Sequence, residues 1–383
     1  MQDKNLNLLK NFNTASPKGL YLHVPFCTNK CDYCAFYKKN IGAGDFELYI
    51  NSLSLEISKY PEFQPTSIFI GGGTPSALSN KYLRQMLEIL KSKITSDCVE
   101  FSIEVSPSSI NAEKLEIMRD FGVNRISMGV QSFDESLLRT LGRHTQLKQI
   151  YKAIDTISTA NFEHFNLDLI FAMQGETLEQ LESDLKKAIT YPIDHLSAYC
   201  IEYESGTALC AGMNTKDIDE NREIEFVEFT SNLLKRNGFE RYEISNFAKN
   251  GAYCKHNLGT WNMNEWVGLG ASAASQYKNM RYKNLQDFNS WAEKLSKGEN
   301  TFIECEKLDD DEMLLSSIIF GLRLIKGFNY TQAKARFAKA NSQKHRATIN
   351  KLKSEDLLLE EGDTLRLSPK GLILADAIAL EFI

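Results

Sequence analysis

Long apolar runs, an excess of basic residues and abundant cysteine are all missing from this sequence of 383 residues. No segment approaches the roughly 18 consecutive apolar residues that a membrane-spanning helix needs. Lysine and arginine number 44 against 50 aspartate and glutamate, and the formal net charge of −6 argues against a surface built to neutralise phosphates. Eight cysteines are too few for a disulfide scaffold at this length, so clustered thiols would indicate metal binding or catalysis.

The composition is that of an ordinary globular protein. Hydrophobic residues make up 43% and charged residues 25%, which excludes wholesale disorder. At about 100–200 residues per domain, the length predicts two or three domains. The segment from Met1 to Lys18 is polar and lacks the apolar centre of a targeting peptide. We therefore expect a cytoplasmic, reducing location, in which thiols stay free to bind metal.

Between residues 20 and 250, short β-prone runs alternate with amphipathic helical patterns. The predicted strands are Tyr21–Val24, Ser67–Ile70, Val99–Glu104, Arg125–Gly129, Phe165–Phe171 and His195–Tyr199. The predicted helices are Phe46–Lys59, Lys81–Lys91, Ala112–Phe121, Leu147–Ala160, Leu178–Thr190 and Arg222–Asn237. Six successive β/α units predict an α/β fold with parallel strands, either an open doubly wound sheet or a barrel. Polar motifs at successive strand ends favour a partial (β/α)6 barrel of the TIM type, because ligands bind at that rim.

The rest of the chain has a different character. Residues 239–302 are rich in glycine, asparagine and aromatic side chains, and we predict irregular connecting structure with short strands. Between 303 and 383, three helical patterns, a hairpin and a last helix at Pro369–Glu381 predict a winged-helix-like α+β domain. The predicted organisation is thus an arm (1–18), the barrel (19–238), the connecting region (239–302) and this domain (303–383). Winged helices commonly bind DNA, but residues 303–383 contain 12 basic and 13 acidic residues and so have no excess of positive charge. We therefore expect no nucleic-acid partner.

Three cysteines follow the first predicted strand closely. Cys27, Cys31 and Cys34 have the spacing CxxxCxxC. A loop of this length can place three thiolates around one small cluster, and three protein ligands leave one iron of a [4Fe–4S] cluster open. An open iron can bind the amine and carboxylate of an amino acid. Two other interpretations are a zinc site completed by His23 and thiols that are neighbours by coincidence.

A second motif follows the next predicted strand, where residues 71–75 read Gly-Gly-Gly-Thr-Pro. Glycines let backbone amides approach a ligand that a Cβ atom would exclude, although the run alone could be a tight turn. Together with the cysteine spacing, this loop resembles the radical S-adenosylmethionine (SAM) superfamily. The resemblance implies a [4Fe–4S] cluster held by Cys27, Cys31 and Cys34, with SAM at the open iron.

Further polar residues stand at later strand ends. Taken singly, each has a structural explanation, such as a helix cap for Glu104 or Asp168 and a surface ion pair for Arg143. Their segments resemble the branch that contains oxygen-independent coproporphyrinogen III oxidase and related haem chaperones, over about residues 19–383. The chain departs from the branch at residues 172–176, so we expect that loop to differ in shape. The resemblance implies SAM contacts from Tyr21, Tyr33, Gly72, Gly73, Thr74, Glu104, Gln131, Arg143 and Asp168.

This branch offers two functions. One is an anaerobic oxidase that decarboxylates two propionates of coproporphyrinogen III, and the other is a carrier that binds haem and delivers it to acceptor proteins. The oxidases have a further cysteine two residues after the third, where this chain has Phe36. They also have a longer arm, whereas only 26 residues precede Cys27 here. Residues 256–261, His-Asn-Leu-Gly-Thr-Trp, resemble the chaperones' HNxxYW motif, so all three features favour the carrier.

That motif also supplies the predicted haem site. The resemblance implies a role for His256 in haem binding, and Cys254 is a potential ligand or attachment point nearby. The alternative is that His256 only hydrogen-bonds within its loop. Thr260 replaces the tyrosine of the motif and Ala274 stands where relatives often have histidine, so coordination is expected to differ in detail. The remaining cysteines are expected to be small buried hydrophobic residues, namely Cys98, Cys200, Cys210 and Cys305.

The resemblance further implies partners and SAM cleavage. Besides haem, the expected partners are unidentified acceptor haemoproteins and an electron donor such as flavodoxin or ferredoxin, with membrane contact only through the acceptors. Coproporphyrinogen dehydrogenase activity is not expected, and no catalytic residue is assigned. A purely structural or redox-sensing cluster is the remaining alternative. His195 and the segment Tyr242–Asn246 are expected at the barrel mouth without a catalytic role.

Overall fold

The computed structural model describes residues 19–212, 220–277 and 279–383, so the predicted arm lies outside the described residues. Six parallel strands form the centre of the main sheet: β1 (Gly19–Val24), β2 (Ser67–Gly72), β3 (Glu100–Val105), β4 (Arg125–Gln131), β5 (His164–Phe171) and β6 (His195–Cys200). Their order across the sheet is their order along the chain. The six predicted strands and the partial (β/α)6 barrel are therefore confirmed.

Helices follow these strands and cover the outside of the sheet. In chain order they are α1 (Asp45–Ile57), α2 (Asn80–Leu90), α3 (Ala112–Asp120), α4 (Glu135–Thr140), α5 (Leu147–Ser158), α6 (Leu178–Ala188), α7 (Ala208–Ala211) and α8 (Glu220–Arg236). Several begin where a short polar side chain accepts a backbone N–H of the first turn, as Asn111, Asp134 and Thr177 do. No helix within the described ranges has the length and apolar character to cross a membrane.

Apolar and polar side chains alternate along the central strands, because successive side chains of a strand point to opposite faces. On β5, Phe165, Leu167 and Leu169 belong to the hydrophobic core formed with the helices. Asn166 and Asp168 point the other way and line an internal cavity. The sheet therefore has an apolar outer face, buried by helices, and a polar inner face.

The region predicted as irregular instead extends the sheet at both edges. Its elements are β7 (Glu240–Arg241), β8 (Asn246–Ala248), α9 (Lys255–Trp261), β9 (Trp266–Leu269), β10 (Ala274–Tyr277), β11 (Met280–Asn284), α10 (Phe288–Ser296) and β12 (Phe302–Lys307). Strand β9 pairs in parallel with β1, and β10, β11 and β12 continue antiparallel from it. On the opposite edge, β8 pairs antiparallel with β6. The predicted short strands are therefore present, but their extent was underestimated, because pairing with a distant strand rather than local pattern creates this structure.

The last part of the chain forms a small module with its own hydrophobic cluster. It consists of α11 (Asp310–Gly321), β13 (Phe328–Asn329), α12 (Tyr330–Arg336), α13 (Arg346–Ser354), β14 (Leu358–Glu361), β15 (Thr364–Leu367), α14 (Pro369–Ile373) and α15 (Ala375–Leu380). Ile318, Leu352 and Leu365 lie at the centre of the cluster. The predicted last helix is wrong as a single element, because it is interrupted at Leu374. The glycine within its pattern, Gly371, weakens a continuous helix.

A buried ion pair closes the end of the barrel where the strands begin, which we call the floor. The carboxylate of Glu100, at the start of β3, lies 3.1 Å from Nε of Arg125 on β4, and both side chains are about 2% exposed or less. The same carboxylate accepts the backbone N–H groups of Lys255 and His256 at the N terminus of α9. Burial alone would raise the pKa of Glu100, but Arg125 and these N–H groups hold it below its usual value.

Glu100→Ala is expected to destabilise the fold strongly, because it leaves the Arg125 guanidinium buried without its partner. Loss of one member of a buried pair costs about 3–5 kcal/mol in the free energy of unfolding. Urea denaturation followed by circular dichroism measures this change. The control is Glu88→Ala, whose exposed pair with Lys91 should contribute about 0–1 kcal/mol. Equal effects of the two substitutions would contradict a structural role for the floor ion pair.

Candidate functional site

The C-terminal ends of the central strands surround a cavity of about 610 Å³, within the usual range of ligand sites. All three clustered cysteines line it. So do most of the residues expected to contact SAM, namely Tyr33, Gly72, Gly73, Thr74, Glu104, Gln131, Arg143 and Asp168. The fold therefore brings together residues that are more than 100 positions apart in the chain.

The cysteine loop is held in place through its backbone. The N–H of Asp32 donates to the carbonyl of Leu141 at 3.0 Å, and the carbonyl of Asp32 accepts the N–H of Leu209 at 2.9 Å. Nζ of Lys38 donates to the carbonyl of Cys34 at 3.0 Å, closing the loop from within. The three thiols are partly exposed toward the cavity. Across the described ranges, no three His, Cys, Asp or Glu side chains are already gathered closely enough to hold a metal ion.

His23 does not complete a zinc site with these cysteines. Its Nε2 donates to the carbonyl of Tyr37 at 2.9 Å, and its Nδ1 accepts from the hydroxyl of Tyr21 at 3.0 Å. Burial lowers the pKa of His23 to about 4, which keeps the ring neutral. Both ring nitrogens are engaged, so the zinc interpretation loses its fourth ligand. Tyr21 itself stands behind the cavity wall and is not among the residues that line it.

The glycine loop is bonded directly to the start of the cysteine loop. The N–H groups of Gly73 and Thr74 donate to the carbonyls of Val24 and Phe26 at 2.9 and 2.7 Å. A Cβ atom at position 73 would stand 2.7 Å from the Phe26 carbonyl oxygen, so only glycine fits this approach. The hydroxyl of Thr74 lies 3.5 Å from Sγ of Cys27. The two motifs therefore form one continuous wall.

Arg143 joins the cysteine loop to the barrel rim. Its two terminal nitrogens donate to the carbonyl of Gly129 at 2.8 Å and to the hydroxyl of Tyr33 at 3.3 Å. It is thus not the surface ion pair of the alternative interpretation. Gln131, at the end of β4, has a φ of 73°, an uncommon conformation for a residue other than glycine. This turn directs its side chain into the cavity lining.

Two half-buried carboxyl groups, Glu104 and Asp168, face the cavity, and neither caps a helix. Glu104 accepts the N–H of Gly72 at 3.2 Å. Burial and, to a lesser extent, the charge of Asp168 raise the pKa of Glu104 to about 8, against the opposing effect of the bond from Gly72. Burial also raises the pKa of Asp168, against hydrogen bonds from Ser197, Asn166 and Ser127 and the charge of Arg143. A cationic ligand in the cavity would favour the ionised form of both groups.

The structure adds residues that the sequence reasoning missed. Asn166 lies two positions before Asp168 on the same strand, so strand alternation alone could have identified it as inward-facing. Arg323 reaches the cavity from the C-terminal module, and no local signal marks it. Cys200 also lines the cavity, so its expected burial as a packing residue is wrong. Cys98, in the loop before β3, and Cys210, on the short helix α7, are likewise only partly buried, and Cys305 is exposed on the edge strand β12.

The two residues expected to bind haem occupy different places. Cys254, the N-cap of α9, is buried and lines the large cavity. His256 is buried in the floor, stacks on Phe69 and bonds through Nδ1 to the hydroxyl of Ser67 at 3.1 Å. It lines a separate pocket of about 40 Å³, which is of water size and far below that of a porphyrin. Burial lowers its pKa to about 4. The motif thus forms a helix, and its histidine does not lie in a loop.

The segment that begins at His195 lines the large cavity as expected, through His195, Ser197 and Tyr199, but His195 and Tyr242 lie at the floor end and not at the mouth. His195 begins β6, and the beginnings of parallel strands lie at the edge opposite to the rim. The hydroxyl of Tyr242 lies 2.8 Å from its Nε2. Ser245 and Asn246, later in the same segment, do line the cavity. The departure at residues 172–176 is a loop in which Glu176 is buried and accepts the N–H of Met173.

Comparison with known families agrees with this geometry. The radical SAM superfamily matches residues 21–188, which include the cysteine loop, the glycine loop and both cavity carboxylates. The HemN C-terminal domain matches residues 308–374. The fold is that of coproporphyrinogen III oxidase (HemN) from Escherichia coli, with a TM-score of 0.85 at 20% identity, covering 98% of this chain and 93% of that chain. The chain is thus a radical SAM protein with a HemN-type C-terminal module.

The similarity to curated proteins is more specific. Heme chaperone HemW of Lactococcus lactis is 30% identical over 372 residues, which cover 96% of this chain and 97% of the relative. Heme chaperone HemW of Mycobacterium tuberculosis is 31% identical over 374 residues, covering 94% of each chain. Within the radical SAM superfamily, the chain therefore belongs to the family of these HemW proteins.

Membership of this superfamily implies a [4Fe–4S] cluster and SAM, and the residues present fit both groups. Three thiols on one loop face the cavity, and glycine backbone forms the adjacent wall. Glu104 and Asp168 are half-buried carboxyl groups whose pKa is raised by burial, in the cavity where a sulfonium and an ammonium would be bound. The residues of the large cavity, rather than those of the floor pocket, therefore fit these two groups.

Replacing Cys27, Cys31 or Cys34 singly by alanine is expected to remove most of the iron, because two thiolates do not retain a [4Fe–4S] cluster well. Iron and sulfide content after anaerobic purification measures this. Cys305→Ala is the matched control, since its thiol is exposed and distant from the cavity lining. Full iron content in any of the three variants would contradict the assignment of that ligand.

Glu104→Gln is expected to stabilise the cluster-free protein at alkaline pH and to weaken SAM binding. In the wild type the folded carboxyl stays protonated up to a pKa of about 8, whereas the unfolded one ionises near its ordinary value of 4.5. Stability therefore falls as pH rises through that window, and the amide removes this fall. Melting temperatures from about pH 5 to about pH 9 measure the effect. The difference from wild type should widen with pH, and Glu116→Gln, at an exposed position of α3, should show no such trend.

Proposed function

We propose that this protein is a haem chaperone, which binds haem and transfers it to acceptor haemoproteins. The observation that carries the proposal is the similarity to Heme chaperone HemW along almost the whole chain, at about 30% identity. The likeness to the E. coli oxidase concerns the fold alone, at 20% identity. The chaperone is therefore favoured over the oxidase.

Phe36 supports the same choice. It stands where the oxidases have a further cysteine, two residues after Cys34, and its side chain is 71% exposed. It also lines the cavity next to the cysteine loop. An exposed aromatic ring at a cavity mouth offers a surface for a flat apolar ligand, whereas a thiol would offer a reactive group.

In this proposal, Cys27, Cys31 and Cys34 hold the cluster and the adjacent wall holds SAM. The cluster, when bound and reduced, supplies the single electron for SAM chemistry. Gly72, Gly73 and Thr74 present backbone to the amino-acid part of SAM, and Tyr33, Glu104, Gln131, Arg143 and Asp168 provide the polar walls. Tyr21 supports this wall through its bond to His23. The electron would come from a small donor such as flavodoxin or ferredoxin.

The haem site is proposed at Cys254 and His256, on the first turn of α9. Nε2 of His256 is the ring nitrogen not used by the bond to Ser67, so it is the atom for an axial bond to iron. The floor pocket of about 40 Å³ is too small for haem. Haem binding by His256 therefore requires the first turn of α9 to move away from Glu100.

Anaerobic incubation with coproporphyrinogen III, SAM and a reductant tests the choice of function. We expect no protoporphyrinogen, together with saturable haem binding and transfer of that haem to an acceptor haemoprotein lacking its own. Haem transfer is followed by the absorption spectrum of the acceptor. Robust formation of protoporphyrinogen, or the absence of haem binding, would overturn the proposal that this protein is a haem chaperone.

Titration of protein variants with haem identifies the residues that bind it. In His256→Ala, haem affinity is expected to fall by tenfold or more, about 1.4 kcal/mol, with unchanged iron and sulfide content. His164→Ala is the matched control, because His164 is a strand-start histidine of the same barrel that bonds only to Asp194 and Glu163 at the surface. An unchanged titration in His256→Ala would remove His256 from the haem site.

A further inference from the structure

A chain of buried polar side chains runs beneath Asp168 toward the floor. Nδ2 of Asn166 lies 2.7 Å from a carboxylate oxygen of Asp168, and Oδ1 of Asn166 lies 2.6 Å from Nδ1 of His195. Nε2 of His195 lies 2.8 Å from the hydroxyl of Tyr242. That hydroxyl accepts the backbone N–H of Cys254 at 3.2 Å. The chain thus connects a cavity carboxylate to the N-cap of α9.

The register of the parallel strands creates this chain. Asn166 is paired with His195 and Asp168 with Ser197 across β5 and β6, and Ser127 on β4 is paired with Asn166. The hydroxyl of Ser127 donates to Asp168 at 3.2 Å, and Nδ2 of Asn166 donates to the hydroxyl of Ser197 at 3.0 Å. Inward-facing positions of three neighbouring strands therefore converge on one carboxylate.

The donor and acceptor groups of these side chains allow the hydrogen-bond chain only one direction. A carboxylate only accepts, so Asn166 must present its NH₂ group to Asp168 and its carbonyl oxygen to His195. His195 must then carry its proton on Nδ1 and accept on Nε2, so the hydroxyl of Tyr242 donates to it. At the other end, the N–H of Cys254 only donates, and it meets the oxygen of Tyr242. The carboxylate end therefore sets the orientation of every member, and the N–H of Cys254 is compatible with it because the Tyr242 hydroxyl accepts this bond with its oxygen and keeps its proton for His195.

The charges around the chain agree with this arrangement. Burial lowers the pKa of His195 well below its ordinary value, and Arg125 and His164 lower it further, so the ring is neutral. A neutral ring with one donor and one acceptor is what the chain requires. Around Asp168, Arg143 offsets part of the cost of burying the charge, while Glu104 is the neighbouring carboxyl group. The hydrogen bond from Asn166 offsets a further part of this cost.

We propose that Asn166, His195 and Tyr242 are positioning residues, which hold the Asp168 carboxylate in place for SAM through a one-directional hydrogen-bond chain anchored on the backbone of α9. The inference rests on the proposed SAM site and goes beyond it, because none of the three is assigned a contact with SAM. SAM affinity then depends on residues that begin at the opposite end of the barrel. SAM affinity also depends on the position of α9, the helix that carries the proposed haem residues.

The ring nitrogens of His195 test the direction of the chain. Anaerobically purified protein carrying ¹⁵N-histidine is examined by two-bond proton–nitrogen correlation, with His195→Gln used to assign the signals. We expect the tautomer protonated on Nδ1. In Asp168→Asn the carboxylate no longer dictates the orientation of Asn166, so the ring signals should shift or split between tautomers. An Nε2 proton in the wild type, or unchanged signals in Asp168→Asn, would overturn the proposal.

SAM titration tests the positioning role. Asn166→Ala is expected to raise the Kd for SAM by about tenfold, or about 1.4 kcal/mol, with unchanged iron content. Tyr242→Phe removes the donor to His195 and the acceptor of the Cys254 N–H but keeps Asn166 in place, and a smaller increase is expected. Ser102→Ala is the matched control, because this hydroxyl is equally buried on β3 and has no hydrogen-bond partner among the described residues. Wild-type SAM affinity in both Asn166→Ala and Tyr242→Phe would overturn the proposal. Neither the His195 tautomer nor the SAM affinity involves haem. Failure of the chaperone function would instead appear in the haem-binding and haem-transfer measurements, so the two failures are distinguishable.

Discussion

The alternation of side chains along six parallel strands is the constraint on which the rest of this structure depends. One face of each strand packs on helices, and the other turns polar groups inward, where burial without a partner is costly. At the floor, Glu100 and Arg125 satisfy each other and the first N–H groups of α9. At the rim, Glu104 has one backbone partner and a pKa raised to about 8 by burial and by Asp168. Polar groups are therefore satisfied by the protein at the floor and left for a ligand at the rim.

This difference in hydrogen bonding between floor and rim separates the residues that stabilise the fold from those that face the cavity. The floor groups are bonded to one another, so they hold the sheet and α9 together. The two rim carboxyl groups are poorly solvated and close enough for the charge of Asp168 to raise the pKa of Glu104, which disfavours their ionisation in the cofactor-free protein and favours a cationic ligand. Asn166 and His195 lie between these two levels and connect them. The first turn of α9, with Cys254 and His256, is thus linked physically to the proposed SAM site.

Much of the site could be predicted from the sequence, because local patterns carried it. The spacing of Cys27, Cys31 and Cys34 and the glycine run at 71–75 lie within short segments, and strand ends placed Glu104 and Asp168 at one rim. Predictions failed where distant pairing decides the structure. Strands β9 to β12 extend the sheet through pairing that begins at β1, His195 lines the cavity from its floor end, and Cys200 faces the cavity.

The sequence by itself determined the class of protein, the barrel of six β/α units and the cysteine loop, because hydrophobic period and motif spacing are local properties. Only the tertiary structure decided which groups share a neighbourhood. It showed that His23 is engaged elsewhere, that Arg323 enters the cavity from the last module, and that His256 faces a small floor pocket. The physical reason is that hydrogen-bond partners and burial depend on strand register and helix packing between residues far apart in the chain.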